Sequence, residues 1–253
     1  MNRPVTQRTR RFHRVRATAC AAAIALVAVS ACGDTSTLSP SVGIGPSPTL
    51  PPPETDLVPT VKVAPAVGWT DATPPMLAPG FKVTALARNL DPPRTVYVLP
   101  NGDVLVAESN KPPKPEGADD GKSLFARAKS LVQGLVMKRA GAQVPSANRI
   151  SLLRDTDGDG VADATHVYLS NLTSPFGMTL VGDQLFIANA DALVKVPYKE
   201  GDTQAGAAPV KVTDLPAGLN HHWTKHVVAS ADGSKLYVGV GSNSNVAENG
   251  LPA

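Results

Sequence analysis

The residues best equipped for chemistry are six in a row, Asn220, His221, His222, Trp223, Thr224 and Lys225. Imidazoles exchange protons near neutral pH, an indole offers a flat stacking face, and a lysine offers a fixed positive charge. A base, a stacking surface and a cation side by side are what a site for an oxidising cofactor needs. A His-His pair can also do no more than cap a strand through backbone hydrogen bonds, so its position decides its meaning. Residues 227–230 form a short β-branched run, Asp232-Gly233 is a tight-turn dipeptide, and residues 236–240 are a second apolar run. This pattern spells a β-hairpin and puts His222 on the loop at or just before its first strand. Loops held by a rigid sheet are where catalytic side chains concentrate.

The hairpin belongs to a repeated pattern. Residues 94–99, the turn Asn101-Gly102 and residues 104–109 make one copy; residues 176–181, the turn Gly182-Asp183 and residues 185–190 make another; the hairpin after His222 is the third. Recurring hairpins with variable connectors are the mark of β-propeller blades, none of which can bury its faces alone. A Greek-key sandwich gives similar spacing and stands as the alternative. In the propeller reading each copy is the middle of a four-stranded blade, flanked by strands over residues 81–86 and 192–197.

The block around His222, with Gly241-Ser242-Asn243-Ser244-Asn245 after it and Asn148-Arg149-Ile150 ahead of Arg154-Asp155-Thr156-Asp157-Gly158-Asp159-Gly160, resembles the L-sorbosone dehydrogenase group. That group belongs to the soluble sugar dehydrogenases that depend on pyrroloquinoline quinone (PQQ), and the resemblance runs over roughly residues 80–250. It implies an all-β fold of the six-bladed β-propeller family and oxidation of a sugar or sugar aldehyde, with electrons passed on to a cytochrome or a quinone. By position it implies His222 as general base, taking the hydroxyl proton while hydride leaves for the cofactor, help typically worth ~10²- to 10⁴-fold. His221, His222 and Lys225 are the implied cofactor contacts. Six blades need six such units and about three are present, so the chain is expected to be an N-terminal portion without dehydrogenase activity by itself.

A second cluster is acidic. Asp155, Asp157, Asp159 and Asp163 stand at positions 1, 3, 5 and 9 of an oxygen-rich loop, with Gly160 at 6 and the Val161 carbonyl at 7, as at the start of a calcium loop. Position 12 is His166 where an EF-hand carries a bidentate glutamate, and the flanks read as strands. The loop is either a weak calcium site, making Ca²⁺ a second cofactor, or a plain acidic turn. Between the first two hairpins, Leu124, Phe125, Ala128, Leu131, Val132, Leu135 and Val136 recur at helical spacing, with most of the basic residues on the other side. This predicts one inserted amphipathic helix packed on the propeller.

The N-terminus sets location. Six arginines and no acid precede a fifteen-residue apolar stretch over residues 17–31, too short to span a bilayer, and Val29-Ser30-Ala31-Cys32 matches a bacterial lipobox. Residues 1–31 are thus expected to be a lipoprotein signal peptide, with Cys32 lipidated and the protein exported and anchored in the periplasm, on the outer membrane of a Gram-negative bacterium. Cys20 lies in the removed segment, so no mature disulfide is expected. Without the signal, 18 basic residues face 21 acidic ones, a net −3 that offers no electrostatic case for nucleic acid. Residues 32–60, rich in Pro, Ser and Thr, read as a disordered tether, and residues 61–253 as the partial propeller. Two further functions fit the sequence: a noncatalytic surface-binding lipoprotein, and a calcium-dependent lactonase, for which no converging set of axial ligands can be picked out.

Overall fold

A computed structural model of the chain describes residues 39–48, 63–70, 73–113, 123–142, 144–217 and 222–242. The expectations for the signal peptide, Cys32 and His221 lie outside these residues. Two units divide at Ala66 and Val67. In the first, the described residues hold one 3-10 turn, Pro40–Gly43, capped by the Ser39 side chain. Among the described residues no helix is long and apolar enough to cross a membrane.

The second unit is built from sequential antiparallel sheets. β1 (Pro93–Val98), β2 (Val104–Glu108), β3 (Arg149–Arg154) and β4 (Ala164–Leu169) form one four-stranded meander. β5 (Gly177–Val181), β6 (Gln184–Ala188), β7 (Ala192–Pro197) and β8 (Val210–Asp214) form a second, and β9 (Lys225–Ala229) with β10 (Leu236–Val240) a two-stranded sheet. This is an all-β, blade-by-blade propeller arrangement, with two whole blades and a hairpin of a third among the described residues.

The turn chemistry explains the hairpins. Gly102 reaches φ +89° and its N–H closes onto the Leu99 carbonyl, while Asn101 accepts from and donates to Asp103. Gly182, at φ +58°, opens the two-residue loop between β5 and β6. In the third hairpin Asp232 gathers the hydroxyls of Ser230 and Ser234 and the Ser234 N–H, which hold its carboxyl down at about 2.

Three expectations need correction. The repeated hairpins are the first two strands of each blade, not the middle pair; β3 and β4 come from the flanks of the acidic loop. Residues 81–86 form no strand, because their backbone meets no ladder: the Phe81 N–H closes a turn onto the Ala78 carbonyl and the Leu86 carbonyl accepts from the Ala162 N–H. The predicted helix is present as α1 (Leu124–Arg139), but Leu124, Leu131, Val132 and Leu135 are exposed instead of packed on the sheets. Helical periodicity specifies which face is apolar and says nothing of what covers it.

Alternation along blade 2 shows what holds the sheets together. Leu185 and Ile187 of β6, with Ala192, Val194 and Val196 of β7, turn toward blade 1 and join Leu105, Ile150, Leu152 and Tyr168 in one core. The intervening residues Ala188 and Leu193 turn the other way, onto Val227 of β9. A strand buried on both faces has to be apolar throughout, and β6 and β7 nearly are. The first strands also touch: the Leu180 N–H donates to the Tyr97 hydroxyl at 3.0 Å, joining β5 to β1. A Cβ on Gly177 would lie 2.5 Å from the Val227 nitrogen and 2.8 Å from the Lys225 oxygen, so β5 and β9 meet backbone to backbone.

At the end of blade 1 where β1 begins, Glu108 is fully buried. Arg149 grips it with two hydrogen bonds, 3.0 and 2.9 Å, and also reaches Asp91; the Ser151 hydroxyl and the Asp91 N–H complete the set. Burial alone raises the carboxyl's pKa, but the donors from Arg149, Ser151 and Asp91 outweigh it and the net shift is downward. At the other end of the blade Asp103 is lowered as well, first by its hydrogen bond from Arg154.

Two outcomes are expected. Gly177→Ala places a methyl where backbone already stands and is expected to cost roughly 1–3 kcal/mol, read as a lowered melting temperature; an unchanged melt contradicts close contact of β5 with β9. Because Glu108 and Asp103 titrate lower when folded, their contribution is present above the unfolded carboxylate values, near 4, and fades as pH falls below them. Urea unfolding is therefore expected to give constant stability from about pH 7 to 5.5 and a decline below about pH 4.5, a decline that Glu108→Gln makes shallower.

Candidate functional site

β1, β5 and β9 are the first strands of successive sheets and lie side by side, so their starting ends converge. Just before or within those starts stand Arg94, Phe176 and Trp223. The Arg94 guanidinium lies 5.5 Å from the Trp223 ring centre and 6.0 Å from that of Phe176. Phe176 meets Trp223 at 6.3 Å and His226 at 5.5 Å between ring centres, both in T-shaped pairs. The result is an aromatic cluster carrying a positive charge at one end of the inner strands.

His222 stands three residues ahead of β9 with its side chain exposed, and its Nδ1 is 2.6 Å from the Ser242 carbonyl oxygen, just past the end of β10. The hairpin thus closes on itself through the imidazole. Lys225, the first residue of β9, has no exposed surface; its Nζ donates to the Trp223 carbonyl at 3.2 Å. No carboxylate among the described residues forms an ion pair with it. Burial lowers its pKa, because a desolvated ammonium is disfavoured against the neutral amine.

Of the residues expected at a cofactor site, the structure gathers His222 and Lys225 on one short loop with Trp223 between them. Arg94 and Phe176 are functional candidates that the sequence did not disclose. They meet Trp223 only through the packing of three blades, and neither sits in a motif of its own. Period-two alternation counted from Tyr97, whose hydroxyl reaches β5, could not have singled out Arg94 either.

The acidic loop lies elsewhere. It joins β3 to β4 after Arg154, whereas Arg149, at the start of β3, pairs with Glu108 beside the start of β1. The loop is therefore at the opposite end of blade 1 from His222. Ligand atoms of Asp155, Asp157 and Asp159 lie within 4.8 Å of one another. Asp155 accepts from the Gly158 and Gly160 N–H groups, and Asp159 accepts from the Val161 N–H at 2.7 Å. Asp163 does not join them; its carboxylate caps the N–H and hydroxyl of Thr156, which lower its pKa. A cleft of about 350 Å³ between Val167 to Asn171 and Gln204 to Pro209 contains none of the residues of either cluster.

No curated protein matches the chain. Among solved structures, the holo form of the pyranose dehydrogenase PQQ domain from Coprinopsis cinerea is similar at 16% identity and a TM-score of 0.48, over 69% of this chain and 34% of that one. Two structures of Trichoderma reesei carbohydrate-active enzyme family AA12, one with iodide and one with calcium, are similar at 15% identity and a TM-score of 0.46, over 67% of this chain. The chain spans about a third of the length of these structures. The family described as "Domain of unknown function (DUF7133)" matches residues 76–251, and the chain belongs to it.

Proposed function

We propose that the chain forms part of a PQQ-dependent dehydrogenase that oxidises a CH–OH group of a sugar or sugar aldehyde, with His222 as general base. One contact carries the reading: the 2.6 Å approach of His222 Nδ1 to the Ser242 carbonyl. A carbonyl oxygen only accepts, so Nδ1 keeps the hydrogen and the lone pair is on Nε2. Nε2 is then the atom that takes the hydroxyl proton as the carbon is oxidised. PQQ, when bound, supplies the acceptor for the hydride leaving that carbon.

The neighbouring residues suit such a group. A flat, polyanionic ortho-quinone calls for cations and stacking faces, and Arg94, Phe176 and Trp223 present a guanidinium over two aromatic rings. Lys225 holds the Trp223 carbonyl from behind, fixing the segment that carries the indole and the imidazole. The acidic loop, at the far end of blade 1, has no part in this chemistry. We assign it a weakly held calcium ion that stiffens the β3–β4 connection.

Titrating PQQ into the protein is expected to perturb the quinone absorbance, and His222→Asn to keep that binding while lowering dye reduction by ~10²- to 10⁴-fold where turnover is measurable. An unperturbed absorbance at saturating quinone, or full turnover by His222→Asn, rejects the proposal. Lactone cleavage without any acceptor would favour the hydrolase instead. Calcium at ~1 mM is expected to raise the melting temperature of the wild type and not of Asp157→Asn; no rise in either leaves the loop an acidic turn.

A further inference from the structure

The geometry points to Gly241 as the positioning residue that seats His222, an inference that rests on the reading of His222 as the base. Gly241 follows the last residue of β10 and precedes Ser242, whose carbonyl faces the imidazole. A Cβ added to Gly241 would lie 2.4 Å from the His222 Cβ, 3.3 Å from its Cγ and 3.2 Å from its carbonyl oxygen. The first of these is well inside van der Waals contact. The atom met is the root of the side chain, and it cannot swing aside as a flexible tip can. Relief requires the backbone of residue 222, or the end of β10, to move.

Either movement acts on the same bond. Ser242 is the next residue, so displacing Gly241 from His222 pulls the Ser242 carbonyl off Nδ1. Histidine free in water favours the hydrogen on Nε2. The carbonyl reverses that preference only while the ring is held against it. The absence of a side chain at residue 241 therefore does two things at once: it lets the imidazole approach, and it keeps the lone pair on Nε2, the nitrogen that must accept the proton. Gly241 touches no reacting atom and acts through His222 alone.

Gly239 gives an internal control. It lies two residues earlier, inside β10, and among the described residues a Cβ there would meet the His226 Cβ at 4.0 Å, an ordinary contact. Gly239→Ala and Gly241→Ala thus add the same methyl within β10 and just past its end, one at an ordinary contact distance and one onto the base.

The test is histidine-selective ¹⁵N–¹³C NMR of the full chain above neutral pH, with the His222 signal assigned by its loss in His222→Asn. Wild type and Gly239→Ala are expected to show His222 with its hydrogen on Nδ1, and Gly241→Ala to show a shift to the Nε2–H form, with His166 and His226 unchanged as evidence that the fold persists. Gly241→Ala with an unaltered His222 tautomer overturns the inference, as does an equal change in Gly239→Ala. Where turnover with PQQ is measurable, Gly241→Ala is expected to lower kcat ~10-fold or more with KM little changed. A tautomer shift in Gly241→Ala without any effect of His222→Asn on turnover upholds the seat and overturns the general base, so the two failures are distinct.

Discussion

Everything in the folded part depends on β6 and β7, the central strands of blade 2, being buried on both of their faces. A four-stranded meander has two apolar sides, and a lone blade would leave one of them wet. Blade 2 escapes this because its neighbours approach closely enough to exclude water. On one side Tyr97 and Leu180 link the inner strands by a hydrogen bond; on the other Gly177 allows the β5 and β9 backbones to touch. The alternation Leu185, Phe186, Ile187, Ala188 along β6 is the sequence record of that double burial. Once the inner strands are this close, their starting ends bring Arg94, Phe176 and Trp223 together without any further device.

The buried charges follow a consistent logic. Glu108 and Asp103 lie inside blade 1, and each has a guanidinium and additional donors, so their carboxylates remain ionised. Lys225 is buried where β9 meets blade 2; among the described residues its Nζ donates to the Trp223 carbonyl, and burial lowers its pKa.

The hairpins were legible because their signals are local. Asn101-Gly102, Gly182-Asp183 and Asp232-Gly233 each fix a turn, and β-branched runs on either side fix the strands. Position within the blade was not local, so the hairpins were set in the middle when they are the first two strands. Residues 81–86 alternate like a strand, but no neighbouring strand supplies a ladder for them. Within the site, His222 and Lys225 could be read from a contiguous block. Arg94 could not, because its aromatic partners come from β5 and the loop before β9. Gly241 was visible only as part of a motif, and its close approach to His222 depends on where the strand ends in space.

The two seams between blades are unequal. Among the described residues, fourteen buried apolar side chains make up the core that blades 1 and 2 share, and three, Ala188, Leu193 and Val227, with partly buried Phe186, Leu215, Leu236 and Val238 against them, make up the second. Less apolar area is removed from water there by the described residues, so of the three described sheets the third hairpin is expected to open at the lowest free energy. It is also the segment that carries His222. On gentle heating the imidazole should thus lose its seat against Ser242 while most of the β-structure persists, an early and local event instead of a consequence of global collapse.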